Sequence, residues 1–193
     1  MNSTDHMRYE WNAETAERYA RKYGECATNR IPVEKIQLPS DAAIVDIGCG
    51  TGATLRRAGD FVTDGVLVGI DPVPRMIEIA RHQTAAHPAG NRIEFRLGSA
   101  GNLPVDDDFA EFVFAFDSFD FWGNKERGLD EVRRILRPDG RFVVVKDFDM
   151  PDAKDSGLAL MEMLTRFGFA ILSERFIETE GVSFTMWVVA LSG

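Results

Sequence analysis

Apolar residues along the chain fall into short runs that alternate with stretches of helical spacing. Ala13, Ala16, Tyr19, Ala20 and Tyr23 recur at intervals of three and four, so NAETAERYARKYGE predicts an amphipathic helix ending near Gly24. AAIVDIG (42 to 48) and GVLVGID (65 to 71) are short apolar runs that stop at turn residues, each followed by a helical stretch. That order is the grammar of βαβ units, in which parallel strands are joined by crossover helices. PRMIEIARHQTAAH places Pro74 at a first helical position and Met76, Ile77, Ile79 and Ala80 on its apolar side.

RIEFRLGSA then predicts a third strand and FAEFVFAF (109 to 116) a buried fourth one. Leu129, Val132, Ile135 and Leu136 predict a helix that stops at Pro138-Asp139-Gly140, and RFVVVKDF a fifth strand. From Pro151 the pattern changes. A helix carrying Leu158, Met161 and Leu164 leads into FAILSERFIE, the turn TEG and VSFTMWVVAL, two strands close enough in sequence to pair antiparallel. The prediction is one α/β domain over residues 1 to 193: an N-terminal segment 1 to 40, a mostly parallel core 41 to 150 with helices on both faces, and a helix with an antiparallel C-terminal hairpin, 151 to 193.

Composition narrows the functional classes. Lys and Arg number 22 against 31 Asp and Glu, a formal net charge of −9, which opposes binding of a phosphate backbone, so no nucleic-acid partner is expected. Two cysteines, Cys26 and Cys49, are too few for a disulfide framework, and neither stands in a metal-ligand spacing. No window approaches the roughly 18 apolar residues of a membrane span. The expectation is a soluble, unexported, cytoplasmic protein without a metal; oligomeric state has no signature in the sequence.

Candidate chemistry centres on VDIGCGTGATL, residues 45 to 55. In an open parallel sheet ligands settle beyond the carboxyl ends of the strands, where the first strand turns into its helix. Gly48 and Gly50 there allow positive φ and close approach of backbone to ligand, and Gly52 allows tight helix packing. Asp71 ends the second strand 19 residues after Gly52, where a carboxylate can accept both hydroxyls of a ribose. An adenosine-containing ligand is implied.

Gly48-x-Gly50-x-x-Ala53 also fits a dinucleotide fingerprint, so the glycines alone leave a nicotinamide-dependent oxidoreductase open. Asp46 argues against it: a carboxylate two residues before the first glycine repels a pyrophosphate, whereas the sulfonium and amino group of S-adenosylmethionine are cations.

VDIGCGTG resembles the first motif of class I S-adenosylmethionine-dependent methyltransferases, and GIDPVPRMIEIAR their acidic second motif. GSAGNLPVDDDFAEFVFAFDSFDFW and EVRRILRPDGRFVVV resemble later blocks in the order of the type 11 subgroup, which includes ubiquinone and menaquinone biosynthesis enzymes. The resemblance spans about residues 42 to 146. It implies a Rossmann-like seven-stranded sheet with its last strand antiparallel, S-adenosylmethionine as cofactor, a small organic acceptor, and residues 1 to 40 as a helical lid. It further implies cofactor contacts from Asp46, Gly48, Cys49, Gly50, Asp71, Pro72, Met76, Ser99, Ala100 and Phe116. Ser99 stands where relatives usually carry an acid toward the adenine, and Asp120-Phe121-Trp122 where the subgroup often has paired histidines.

Methyl transfer is an in-line displacement, so positioning supplies most of the catalysis, and a base helps only an acceptor that carries a proton. Asp117, Asp120 and Asp149, after strands four and five, are the candidates; each reads equally as a loop cap. Asp147 and Asp149 with Asp117 would also suit Mg²⁺, a reading set below the metal-free one. His82 and His87 read as surface residues. Tyr19 or Tyr23 would cover the methionine end, Trp11 and Tyr9 belong to the same lid, and Phe119, Phe121 and Trp122 would form an apolar opposite wall, though packing of a helix on the sheet explains the lid aromatics as well. A binding protein that kept the cofactor pocket without turnover is the alternative function.

Overall fold

The computed structural model describes residues 11 to 147, 157 to 179 and 181 to 193. Asp149 and Tyr9 lie outside the described residues. Seven strands form one sheet: β1 (Ala43–Ile47), β2 (Val66–Asp71), β3 (Ile93–Leu97), β4 (Ala110–Phe116), β5 (Leu136–Asp147), β6 (Phe169–Thr179) and β7 (Val182–Leu191). Their order is β3-β2-β1-β4-β5-β7-β6, and β7 runs antiparallel to both of its neighbours, so it alone is reversed. This is the seven-stranded, Rossmann-like sheet that the motif blocks imply. Strand order reverses between β1 and β4, which pair in parallel and open a crevice beyond their carboxyl ends.

Helices cover both faces because parallel strands buried on two sides must be sheathed twice. α1 (Ala13–Tyr23), α2 (Ala27–Lys35), α3 (Ala53–Ala58) and α4 (Pro74–Thr84) precede or connect the first three strands; α5 (Lys125–Ile135) and α6 (Gly157–Arg166) follow later. Leu55, Ile77 and Ala80 of α3 and α4 join Ile44, Leu67, Phe114 and Val143 in one core layer. Leu129, Val132, Leu160 and Leu164 of α5 and α6 join Val45, Val68, Phe142 and Trp187 in the other. Each fully buried side chain of this size contributes roughly 1.5–3 kcal/mol relative to exposure.

Two elements differ from the pattern-based expectation. α2 was not foreseen, because Pro32 sits inside it and its buried residues Thr28, Ile31, Pro32 and Val33 trace no clean apolar stripe. The helix before β5 ends at Ile135, and Leu136 is already extended, pairing with Ala110 across a β-bulge. Arg137 precedes a proline, which disfavours helical backbone, and its side chain is drawn to Glu111 of β4 at 2.6 Å.

Candidate cofactor and acceptor site

The glycine turn is built from backbone. Gly48, Gly50 and Gly52 have φ of 74°, 50° and 77°, the left-handed region that favours glycine. A Cβ on Gly52 would stand 2.5 Å from the Phe95 ring, so its bareness serves helix packing; a Cβ on Gly50 would meet no protein atom within 4 Å. Gly48 and Cys49 donate their N–H groups to the Ile70 carbonyl at 2.7 and 3.1 Å, and Gly52 donates to Cys49 at 2.8 Å. Gly50 donates to Asp71 Oδ2 at 3.0 Å, and Val73 to Asp71 Oδ1 at 2.9 Å. These four turn N–H groups are spent inside the protein, so they form no outward nest for a pyrophosphate.

Beyond the turn lies a cavity of about 300 Å³. Gly48, Cys49, Gly50, Asp71, Pro72, Met76, Ser99, Ala100 and Phe116 all line it, gathered from four strand ends. Met76 is held by Ala16 of α1 and Val73. Asp46 does not line it. Strand alternation turns its side chain away from the face of Val45 and Ile47, and it lies in β1, 2% exposed, in register with Gly69. Loss of hydration, then the neighbouring Asp71, pushes its carboxyl up to about 8. Burial likewise raises Asp71 to about 6 against the opposing pull of its two backbone donors.

α1 and α2 close the opposite side. The Thr51 hydroxyl of the turn donates to the Gly24 carbonyl at 2.8 Å, and Arg56 bonds the Thr51 carbonyl at 2.6 Å and the Glu25 carboxylate. Arg75 of α4 grips Glu17 of α1 at 2.5 Å. Trp11, Tyr19 and Tyr23 therefore reach the cavity, with Trp11 edge-on to Tyr19 at 5.2 Å and to Phe121 at 6.4 Å.

Of the candidate bases, Asp117 lines the cavity, partly buried, with φ of 51°. Its Oδ1 accepts the Asp147 N–H at 2.7 Å and its carboxylate a hydrogen bond from Thr28; burial outweighs both and raises it to about 6. Asp120 does not line the cavity. Its carboxylate is taken by buried Lys146 at 2.9 Å and by Lys125 at 3.5 Å, so it serves as a structural anion. Phe119 is likewise not a wall: it packs on Trp122 at 4.8 Å within the core, leaving Phe121 and Trp122 as lining. Among the described residues no cluster of three or more His, Cys, Asp or Glu could hold a metal.

Cys26, Thr28 and Asn29 of the α2 region also line the cavity, as do Ser118 and Asp147. Sequence reasoning missed Thr28, Asn29 and Ser118. For Thr28 and Asn29 the concealing feature was Pro32; for Ser118, whose hydroxyl donates to the Ile47 carbonyl at 2.5 Å, no motif distinguishes it.

Residues 45 to 144 match the type 11 family model described as a methyltransferase domain. The chain belongs to that S-adenosylmethionine-dependent family. With membership, the dinucleotide reading of the glycines is closed. An arsenite methyltransferase of Halobacterium salinarum is 37% identical over 113 residues, 56% of this chain and 29% of that protein. A demethylmenaquinone methyltransferase of Symbiobacterium thermophilum is 35% identical over 104 residues, 53% of this chain and 41% of that protein. The chain thus aligns with less than half the length of these curated relatives. In fold, a SAM-dependent methyltransferase from Aquifex aeolicus superposes with a TM-score of 0.76 at 16% identity, covering 93% of this chain and 99% of that chain.

Proposed function

We propose that this protein transfers a methyl group from S-adenosylmethionine to a small organic acceptor held under the α1–α2 lid. The observation that carries the reading is the link between Asp71 and the Gly50 N–H, which sets a carboxylate and a bare stretch of backbone side by side at the sheet's switch point. The residues suit the cofactor on two grounds. Gly50 leaves open space where a side chain would otherwise stand. Asp71 and Asp46 are carboxylates whose charge burial disfavours, an environment that a cation relieves.

In this reading Asp71 receives the ribose hydroxyls, Gly48, Cys49 and Gly50 flank the methionine part with Phe116, and Pro72, Met76, Ser99 and Ala100 border the adenine. Asp46 lies behind the turn and out of contact with the cavity. When bound, the cofactor supplies an electrophilic methyl on a positively charged sulfur. The chain's part is to orient the two reactants and exclude water with Trp11, Tyr19, Tyr23 and Phe121. Asp117, which lines the cavity, is favoured as the base over Asp120, which pairs with Lys146 and Lys125.

A small acceptor is supported by the cavity's volume and by the net charge of −9, which disfavours nucleic acid. The relatives whose names specify arsenite and demethylmenaquinone point the same way. No helix among the described residues is long and apolar enough to cross a membrane, and both cysteines are free, which supports a reducing, cytoplasmic setting. Calorimetric titration with S-adenosylmethionine, S-adenosylhomocysteine and NADH tests the reading. Binding of the first two alone is expected; binding of NADH alone would overturn it.

A further inference from the structure

The cavity is lined by two acidic side chains beyond Asp71, the one that adenosine recognition uses. Asp117 and Asp147 both line it, joined through the Asp147 N–H at 2.7 Å from Asp117 Oδ1. Asp117 is fixed by its own N–H to the Val145 carbonyl at 2.9 Å and by the Thr28 hydroxyl, in a left-handed backbone conformation that an aspartate tolerates at modest cost. The same cavity is lined by the rings of Trp11, Tyr19, Tyr23 and Phe121, with Tyr19 near enough to Asp117 to feel its charge and Tyr19 and Tyr23 centred 5.0 Å apart. Among the described residues that line the cavity none is Lys, Arg or His. Carboxylates set within π faces attract a cation and repel an anion.

Resting on the methyl-donor reading above, we propose that the acceptor is a small primary or secondary amine, whose ammonium form is held by Asp117 and Asp147 beneath the lid aromatics. One N–H proton of the ammonium passes to an Asp117 oxygen, leaving a neutral amine with a free nitrogen lone pair and a neutral carboxylic acid. That is the form of amine able to attack an electrophilic methyl. A carboxylate, phosphate or other anionic acceptor meets two acids and no Lys, Arg or His among the described residues that line the cavity. A thiol or an activated carbon acceptor gains nothing from the second acid.

The test is calorimetric titration of the full chain, saturated with S-adenosylhomocysteine, using phenethylamine, phenethyl alcohol and hydrocinnamate as matched cationic, neutral and anionic probes. Phenethylamine is expected to bind about tenfold or more tighter than the alcohol, the scale of one charge-assisted hydrogen bond, with hydrocinnamate weakest. Asp117→Asn and Asp147→Asn, each checked for an intact melting transition, are expected to remove that preference while the affinity for the alcohol stays put. Equal binding of amine and alcohol, preference for hydrocinnamate, or an amine preference that survives in both variants overturns the amine site. Failure of S-adenosylhomocysteine itself to bind overturns the methyl-donor reading, and the amine proposal with it.

Discussion

The two ends of the cavity are made differently. At the turn end, backbone does most of the work: three left-handed glycines close one βα unit, and Ile70 and Asp71, about twenty residues on at the end of the neighbouring strand, take up N–H groups of that turn. At the lid end, side chains from α1, α2 and the loops after β4 and β5 meet across long sequence separations, fastened by Thr51, Arg56 and Arg75. Backbone placement at a strand-to-helix turn follows from local sequence. A wall assembled from four segments follows only from how those segments pack, and it can change without disturbing the turn.

The comparison can be broken hardest at the turn. Gly50→Val should abolish S-adenosylmethionine binding, a loss beyond about 3 kcal/mol, because a branched side chain would project from a φ of 50° into open cavity. Calorimetry on the folded variant checks this, and full affinity would mean that the turn is structural only. Asp71→Ala should cost about 2–3 kcal/mol of the same affinity by removing a charged acceptor and freeing the Gly50 N–H; affinity that does not change would remove Asp71 from the site.

Acidity sharpens the contrast by a different route. Burial raises the carboxyls of Asp46, Asp71 and Asp117 in the folded chain to about 8, 6 and 6, from near 3.8 in an unfolded one. Between pH 4 and 8 the folded state therefore binds more protons than the unfolded one, so stability contributed by these groups is greatest near pH 4 and falls as pH rises through the folded values. Each differing proton changes stability by up to about 1.4 kcal/mol per pH unit. Chemical denaturation of the ligand-free protein should show this decline, and Asp46→Asn should flatten its upper part, raising stability near pH 8. An unchanged slope in that variant would place the effect elsewhere.

The smallest expected effect is at the fastening of the lid. Thr51→Val removes the buried hydroxyl donated to Gly24 and should lower stability by about 1 kcal/mol. It should weaken S-adenosylmethionine by a similar amount if α1 and α2 help close the cavity. A loss of stability with full cofactor affinity would separate the lid from the cofactor end altogether.

Much of this was legible beforehand for stated reasons. Strands that read as apolar runs, such as Leu67 to Ile70 and Val113 to Phe116, belong to a sheet buried on both faces, so the parallel core announced itself. Gly48, Gly50 and Asp71 were readable because a sharp strand-to-helix turn admits few residue types. Asp46 was readable as an acid but not as one that lies behind the turn, since a one-residue step reverses the face a strand presents. Asp120 could not be told from Asp117 by spacing, because only the fold brings Lys146 to it, 26 positions away.

The sequence by itself determined the class of sheet, the alternation of strands with crossover helices, the reversed last strand and the adenosine-type turn. All of these depend on periodicity, on turn-forming residues or on motif blocks whose parts are close in the chain. Tertiary structure alone decided that α2 exists, that Thr28, Asn29 and Ser118 reach the cavity, that Phe119 belongs to the core, and which of Asp117 and Asp120 lines the cavity. Those outcomes depend on competition among distant partners for the same side chain: buried Lys146 claims Asp120, while the Asp147 N–H and the Thr28 hydroxyl steady Asp117 facing the cavity.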